Sequence, residues 1–554
     1  MNKSKLKILM VSEASFLSSG FAIYTREILS RLYKTNKYEI AEFASYGLVN
    51  DPRDKSIPWK YYANAVKEED PRHKDYSSRG DNQFGRWRFE KVLLDFRPDV
   101  VIDIRDYWMS SYQAISPLRK FFHWILMPTV DSAPQQEEWI DTFLSADSIF
   151  TYSDWGAEVL KNQSSGRINY IDTVSPGVDL STFTPIEDNK ALREQYGVPP
   201  NSFVVGSVMR NQKRKLIPEL MASFRKTIDI LKQEGNEIGE KIYLYLHTSY
   251  PDAGWDLPEL LKEHRLANRV LFTYLCRRCA HIESSVFVGP QKVCSRCLEK
   301  SMTFSSVTNG VSTEQLAKIY NLFDIYVQYS ICEGFGCPQT EAGACGLPVF
   351  TVNYSAMCDI VQKLEAVSIE PKSYFKELET KAIRVYPDND QLANEIVKMC
   401  HMPILERIAK GQKTRQLTEK HYNWDDIAKK WEKHLDQIDL SYRSEWNVSP
   451  IYLEKIKKAF MAEPQSYFEA TAKLCSEHMR DINMISSMSI LSLLQYADYG
   501  FSMHGTNINR HDYNDVLSYI NTYIDNINQS ESVRSEKIKF NDDFIEYASI
   551  KANT

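Results

Sequence analysis

No stretch of these 554 residues is apolar for long enough to cross a bilayer. The longest candidate, Phe121 to Met127, already contains a histidine, whereas a spanning helix needs about 20 apolar residues. The amino-terminal residues are not expected to act as a secretion signal. Lysines stand at positions 3, 5 and 7, but the apolar run behind them, Ile8 to Val11, is too short and reads as a first buried strand. Strong charge of either sign is absent, and the formal net charge of −6 gives no general pull toward nucleic acid or an anionic membrane. Low-complexity tracts are lacking, and so is any internal repeat beyond two successive strand–helix series. These absences lead to the expectation of a soluble cytoplasmic protein with no integral membrane contact.

What is present is ordinary globular material, 43% apolar and 25% charged, in a chain too long for one hydrophobic core. The opening reads strand, loop, helix: Leu6 to Val11, the small-residue turn Ser18-Ser19-Gly20, then helical periodicity from Ala22 to Leu32. Further strands are predicted at Val100 to Ile104, Phe122 to Met127 and Ser148 to Tyr152. The charged, tyrosine-rich stretch from Asp51 to Arg88 breaks the rhythm and reads as a surface excursion. After Ser175-Pro176-Gly177-Val178-Asp179 the pattern restarts, with strands at Phe203 to Met209, Lys241 to His247, Val270 to Tyr274 and Ile325 to Tyr329. The predicted fold class is α/β, two doubly wound Rossmann-like domains with ligands bound between them. The boundaries are 1–180 and 181–410, followed by helices over 411–445 and a helical extension over 446–554.

The most informative run is Glu333-Gly334-Phe335-Gly336-Cys337-Pro338, leading to Glu341 and closing at Gly346-Leu347-Pro348. It follows a strand and opens a helix, with Pro338 suited to the first helical position. Glycines there let the backbone approach a ligand, and the unpaired N–H groups with the helix dipole make that end an anion site. Glu333 and Glu341 can accept paired hydrogen bonds from sugar hydroxyls. Either feature alone is more often a turn or a first-turn acid; together, behind a strand, they are specific. The run Arg210 to Lys215 places four cations in six residues at a strand's carboxyl end, where Arg and Lys can hold a diphosphate, although single charge runs are usually solvated. Asp388-Asn389-Asp390 reads as a turn or helix cap rather than a metal site.

Cys276, Cys279, Cys294 and Cys297 form two CxxC pairs with fourteen residues between them, the spacing of a closed structural Zn2+ site, in an insertion over 275–310. Arg277, Arg278 and Arg296 leave nucleic-acid contact open, but metal more often replaces a core too small to fold alone.

On the Gly20 loop, Pro176-Gly177-Val178-Asp179 with Phe183, the Arg210 and Lys215 pair, the Glu333 to Glu341 motif and the tryptophans Trp424 and Trp431, residues 5 to 440 resemble the retaining group 1 glycosyltransferases of the GT-B fold. The resemblance implies transfer of a sugar from a nucleotide-sugar donor to an acceptor hydroxyl, with retention and without a catalytic metal. UDP is favoured as the base by how often such enzymes use it. It implies that Arg210 and Lys215 bind the donor diphosphate, that Glu333 contacts the donor sugar, that Glu341 holds the ribose, and that Gly20, Gly334, Phe335, Gly336, Cys337 and Pro338 line the donor. Where relatives carry a histidine, this chain reads Met127-Pro128-Thr129-Val130-Asp131, and Asp131 is the candidate for the reacting acceptor hydroxyl. His123 reads as a core or flanking histidine. Asp103, Arg105 and Asp106 could line the acceptor side or form caps and salt bridges. The aromatic and basic residues Phe84, Arg86, Trp87 and Arg88 could dock a glycan, a lipid-linked glycan, a protein or a modified DNA base. The alternatives are an epimerase or phosphorylase on the same fold, or a nucleic-acid-binding zinc ribbon with a vestigial sugar site.

Overall fold

The computed structural model describes residues 5–443 and 446, apart from 115, 117, 307 and 308. The predicted extension over 446–554 lies, except for Trp446, outside the described residues. The chain is α/β, as the restarting strand–helix pattern requires, and two large sheets carry it. The first has seven strands: β1 (Leu6–Glu13), β2 (Tyr38–Leu48), β3 (Lys60–Ala65), β4 (Val100–Asp103), β5 (His123–Leu126), β6 (Ser148–Thr151) and β7 (Tyr170–Thr173), in the order β3-β2-β1-β4-β5-β6-β7. The pairs from β3 through to β6 are parallel.

The second sheet has nine strands: β8 (Phe203–Val208), β9 (Ile242–His247), β10 (Val270–Cys276), β11 (Ile282–Ser285), β12 (Gln291–Lys292), β13 (Met302–Phe304), β14 (Ile325–Gln328), β15 (Val349–Val352) and β16 (Val367–Ile369). Its main order is β12-β13-β10-β9-β8-β14-β15-β16, with β11 paired to β10. The run from β10 to β16 is parallel, whereas β11 and β13 pair antiparallel to β10. A separate hairpin joins β17 (Pro371–Lys376) to β18 (Ile383–Pro387).

The strands were legible because a parallel strand covered on both faces is apolar throughout. Every residue of β4, β5, β8, β14 and β15 is buried. Helix starts follow their capping residues. Ser312 forms a full capping box with Gln315, and Asp388 accepts from the amides of Asp390 and Gln391 at 2.9 and 3.1 Å, so the Asp388-Asn389-Asp390 run is a helix cap.

By contacts the chain divides into two compact units. One holds residues Met1–Pro128, Asp141–Ile149 and the described residues from Asp436, and the other Thr129–Ile140 with Phe150–Leu435. In the second unit Trp431 stacks on Phe150 with ring centroids 4.3 Å apart, and the Val178 amide donates to the Tyr422 carbonyl at 2.9 Å.

The Asp51 to Arg88 stretch is not the surface excursion its composition implied. Lys60–Ala65 is an edge strand, and the tryptophans beside it are structural: Trp59 donates to the buried Glu42 at 2.9 Å and Trp87 to Asn64 at 2.7 Å. Tyrosines half-covered along one sheet edge hide the alternation that would have marked the strand. Trp87 is 8% exposed and packs inside the unit, while the half-buried Arg86 pairs with Asp81 and Arg88 donates to the Ala63 carbonyl.

Candidate functional site

The second sheet reverses its strand order between β8 and β14, and both segments singled out from the sequence leave the carboxyl ends of those two strands. In open parallel sheets that is where ligands bind. The basic run after β8 turns back and pairs with the residues after β14. Lys215 bridges Ser330, the Ile331 amide donates to the Arg214 carbonyl at 3.0 Å, and the Leu216 amide to the Tyr329 carbonyl at 3.2 Å. The cations and the glycine loop are therefore brought together by backbone pairing.

Glu333 is the centre of that arrangement, at 4% exposure. Lys215 Nζ pairs with Oε1, Arg214 Nη1 lies 2.9 Å from Oε2, Gln328 Nε2 donates to Oε1 at 2.7 Å, and the Ser355 hydroxyl accepts from the Glu333 amide at 2.9 Å. Burial works to raise the carboxyl, but the two cations outweigh it and hold Glu333 at about 2. The carboxylate is thus ionised and locked in one orientation. Of the cations predicted as a pair, Lys215 is buried on Glu333, while Arg210 lies outward, 48% exposed, bound at both ends to Asp252 at 2.8 and 2.9 Å. Arg214, part of the same run but not singled out from the sequence, is the second cation on Glu333.

The loop itself is shaped by its glycines. Gly336 has φ +89° and precedes the helix Cys337–Ala344, which has proline in its first turn. A Cβ on Gly334 would stand 2.4 Å from Thr129 Cγ2, so only glycine lets the Thr129–Asp131 segment approach. Phe335 is buried and meets the Tyr422 ring edge-on at 5.5 Å. The Cys337 thiol is pushed up to about 12, first by burial, then by the Glu341 and Glu333 carboxylates, so that thiol senses both acids. Glu341 accepts from the Tyr320 hydroxyl at 2.7 Å, and burial raises its carboxyl to about 7.

Asp131 sits at the same loop. Its Oδ1 lies 3.1 Å from Nη1 of Arg384, the Cys332 thiol donates to Oδ2 at 3.4 Å, and the Ala133 carbonyl accepts from the Ile383 amide at 2.8 Å. Arg384, 5% exposed on β18, also reaches Cys332 Sγ at 2.9 Å and Glu377 at 2.7 Å. Nothing in the sequence pointed to Arg384, because its partner is 253 positions away. Asp131 is thereby the neighbour of Cys332, the residue before Glu333.

Other candidates are placed elsewhere. Gly20 opens the helix Gly20–Lys34 in the other unit, behind the Ser19 cap, with open space where a Cβ would point. His123 is held between the Ser148 and Tyr442 hydroxyls at 2.8 and 2.7 Å, a satisfied core histidine. Asp103 and Arg105 form a fully buried ion pair, with Arg105 also donating to Ser45 and the Phe84 carbonyl, so they act as structure.

Cys276, Cys279, Cys294 and Cys297 converge in the second unit, their sulfurs all within 4.8 Å of one another. Cys276 and Cys297 lie 3.6 Å apart, Cys279 and Cys294 3.7 Å. A disulfide needs about 2.05 Å. A tetrahedral ion with thiolates at about 2.3 Å implies sulfur separations of about 3.8 Å, so the four thiols fit a Zn2+ ion with no place left for water. His281 faces Glu283 at 3.5 Å instead.

Residues 298–400 match the sequence model of the glycosyl transferases group 1 family. The chain is 29% identical over 217 residues to D-inositol 3-phosphate glycosyltransferase 2 of Catenulispora acidiphila, covering 39% of this chain and 42% of that one. It is 27% identical over 205 residues to the D-inositol 3-phosphate glycosyltransferase of Mycolicibacterium smegmatis, covering 37% of each. The chain thus spans about two fifths of the length of the curated relatives it matches. Among solved structures it is similar to the sucrose-phosphate synthase of Thermosynechococcus elongatus, with TM-score 0.57 at 18% identity over 78% of this chain and 99% of that one. It is also similar to Anabaena HepE in complex with UDP-glucose, with TM-score 0.54 at 14% identity over 78% of this chain and 100% of that one. The fold is the α/β GT-B fold of these structural neighbours, and the segment that carries the group 1 match includes both Glu333 and Glu341.

Proposed function

We propose that the protein is a retaining glycosyltransferase that moves a sugar from a nucleotide-sugar donor to an acceptor hydroxyl. The observation that carries the reading is the ionised Glu333 clasped by Lys215 and Arg214 at the switch point of the second sheet, beside a glycine loop that opens a helix. Cleaving a glycosyl phosphate builds negative charge on the departing diphosphate. Preorganised cations and helix-start amides stabilise that charge as it forms, in the part a divalent ion plays in other transferases. In this assignment Arg210 and Lys215 face the diphosphate, Gly334 to Pro338 line the sugar and phosphate, and Glu333 orients the sugar hydroxyls. Glu341 receives the ribose, and Gly20 belongs to the donor-lining set. A UDP-linked donor is favoured by the neighbour solved with UDP-glucose.

Asp131 is assigned to the acceptor hydroxyl, held ready by Arg384. Residues 1–180 serve as the acceptor-side domain and 181–410 as the donor domain, with 411–445 as the helices that follow. The acceptor is a glycan, a lipid-linked glycan, a protein or a modified DNA base, and the reaction is cytoplasmic. The four cysteines hold a structural Zn2+.

Incubation with labelled UDP-, GDP-, ADP- and CMP-sugars and a panel of acceptors tests the assignment. Label on an acceptor with the donor's anomeric configuration supports it. Interconversion of the free nucleotide sugar without any labelled acceptor overturns it in favour of an epimerase.

A further inference from the structure

The cysteine cluster is not an isolated knob on the surface. Its strands β11 and β13 are laid on β10 and β12 on β13, so the cluster is at the outer end of the sheet whose carboxyl edge carries the candidate site. Strands of two to four residues cannot bury enough apolar area to hold themselves, and here the cysteines fix their ends. Cys276 terminates β10, its sulfur meets the Ser301 hydroxyl at 3.0 Å, and the Ser301 carbonyl accepts from the Arg277 amide at 2.9 Å. Met302 to Phe304 follow directly as β13.

The inner face of this ribbon is aromatic. Phe287 and Phe304 flank the ring of Tyr250, with centroids 5.6 and 5.7 Å away, each edge-on. Tyr250 lies in the loop after β9, and that loop is bolted to the basic run. The Ser249 hydroxyl accepts from the Asn211 amide at 3.2 Å, and Asn211 and Trp255 exchange two hydrogen bonds at 2.8 and 2.9 Å. Trp255 Nε1 donates to the Lys215 carbonyl at 2.9 Å, and Asp252 holds Arg210. A continuous set of contacts therefore runs from the four thiols through Phe304 and Tyr250 to Arg210 and Lys215.

We infer that the cysteine-bound metal ion braces the Ser249–Trp255 loop through Tyr250 and thereby fixes the position of Arg210. The donor site is then formed only in the metal-loaded protein. The inference rests on the donor-site and Zn2+ readings of the previous section, and Tyr250 is a positioning residue in it. Losing the ion frees the ribbon strands, the two phenylalanine rings part from Tyr250, and the loop carrying Asp252 releases the arginine. The sheet itself, built on β8, β9 and β14, does not depend on the ion.

Amide hydrogen exchange on the full chain, loaded with Zn2+ and after its removal by a chelator, tests the brace. Without the ion, residues 248–256 and 210–215 exchange about tenfold faster while β8 and β14 keep their protection, and adding Zn2+ back restores both segments. Tyr250→Leu reproduces the fast exchange of 248–256 with Zn2+ still bound, and it weakens UDP binding about as much as metal removal does, by about tenfold. Unchanged exchange at 248–256, loss of protection throughout the sheet, or a chain that takes up no Zn2+ overturns the brace. If the loop responds but UDP binds in neither state, the donor assignment fails and with it the second half of the inference.

Discussion

Lys215 and Glu333 form an ion pair in the interior of the second unit, 118 residues apart in sequence and joined because the strand-like run after β8 pairs with the chain leaving β14. Removing one partner of such a pair strands the other. Glu333→Ala leaves a buried ammonium facing no carboxylate, and the expected loss is about 3–5 kcal/mol in denaturant unfolding. Glu333→Gln keeps the shape and one acceptor oxygen but turns the other into an NH2 that faces a donor, Arg214 on one side or Lys215 and Gln328 on the other, so it too loses stability; the protein that folds should show transfer lowered by about a hundredfold. Near-normal rates for Glu333→Gln would remove this carboxylate from the reaction.

What could be read ahead of the structure follows from how local each signal is. The strands of both sheets were legible because full burial forces unbroken apolar runs, as in Phe203 to Val208 and Ile325 to Gln328. The convergence of the four cysteines was legible because two CxxC pairs at this spacing are a local pattern that brings four thiols together. The edge strand Lys60–Ala65 was not, and the hairpin Pro371–Pro387, which delivers Arg384, drew no reading at all, because its lysines and glutamates break any apolar alternation. Asp252 on Arg210, Arg384 on Asp131 and Tyr320 on Glu341 are choices of partner made by tertiary packing, which a charged residue's own neighbourhood does not record.

Glu333 and Glu341 give stability opposite pH dependences. Glu333 is held at about 2 in the folded chain against an ordinary 4.5, so its contribution is complete above about 4.5 and is lost as the pH falls toward 2, about 3 kcal/mol in all. Glu341 is raised to about 7, so the folded chain keeps its proton between 4.5 and 7 where the unfolded chain has lost it. Stability falls as the pH rises through that window, again by about 3 kcal/mol. Glu341→Gln should remove this second slope and leave the acid limb untouched, measured by urea unfolding at a series of pH values. If ribose hydroxyls donate to the Glu341 carboxylate, nucleotide binding also releases a proton near pH 7, seen in calorimetry as a heat that depends on the buffer. An unchanged stability profile in Glu341→Gln would show that this carboxyl is not the buried acid.

Arg384 ties Asp131 to Cys332, and Asp131 is the proposed contact of the acceptor hydroxyl. Asp131→Asn is expected to lower kcat by about 10² to 10⁴ with nucleotide affinity unchanged, because the carboxylate acts only when the acceptor reacts. Arg384→Lys keeps the charge and loses the fork, so kcat should fall by about tenfold with KM for the donor unchanged, a split that a general loss of packing would not produce. Equal kcat for wild type and Asp131→Asn would exclude this residue from the acceptor step.

Gly177 lies against the first turn of the helix Trp424–Gln437, where a Cβ would stand 2.7 Å from the Trp424 ring and 2.8 Å from its backbone nitrogen. A ring can tilt, but a backbone nitrogen at the head of a helix cannot move without taking along Trp431, which stacks on Phe150, and the Val178 to Tyr422 hydrogen bond. Gly177→Ala should therefore cost about 1–3 kcal/mol, the usual range for overpacking, even though one methyl group is added to a turn. Gly166→Ala is the matched control: its Cβ would meet nothing within 4 Å, so its cost reflects only its φ of +73°, about 1 kcal/mol. Denaturant midpoints of the two variants decide the point. A Gly177→Ala chain as stable as the wild type would mean that this turn and the tryptophan helix are not packed as rigidly as the glycine requires.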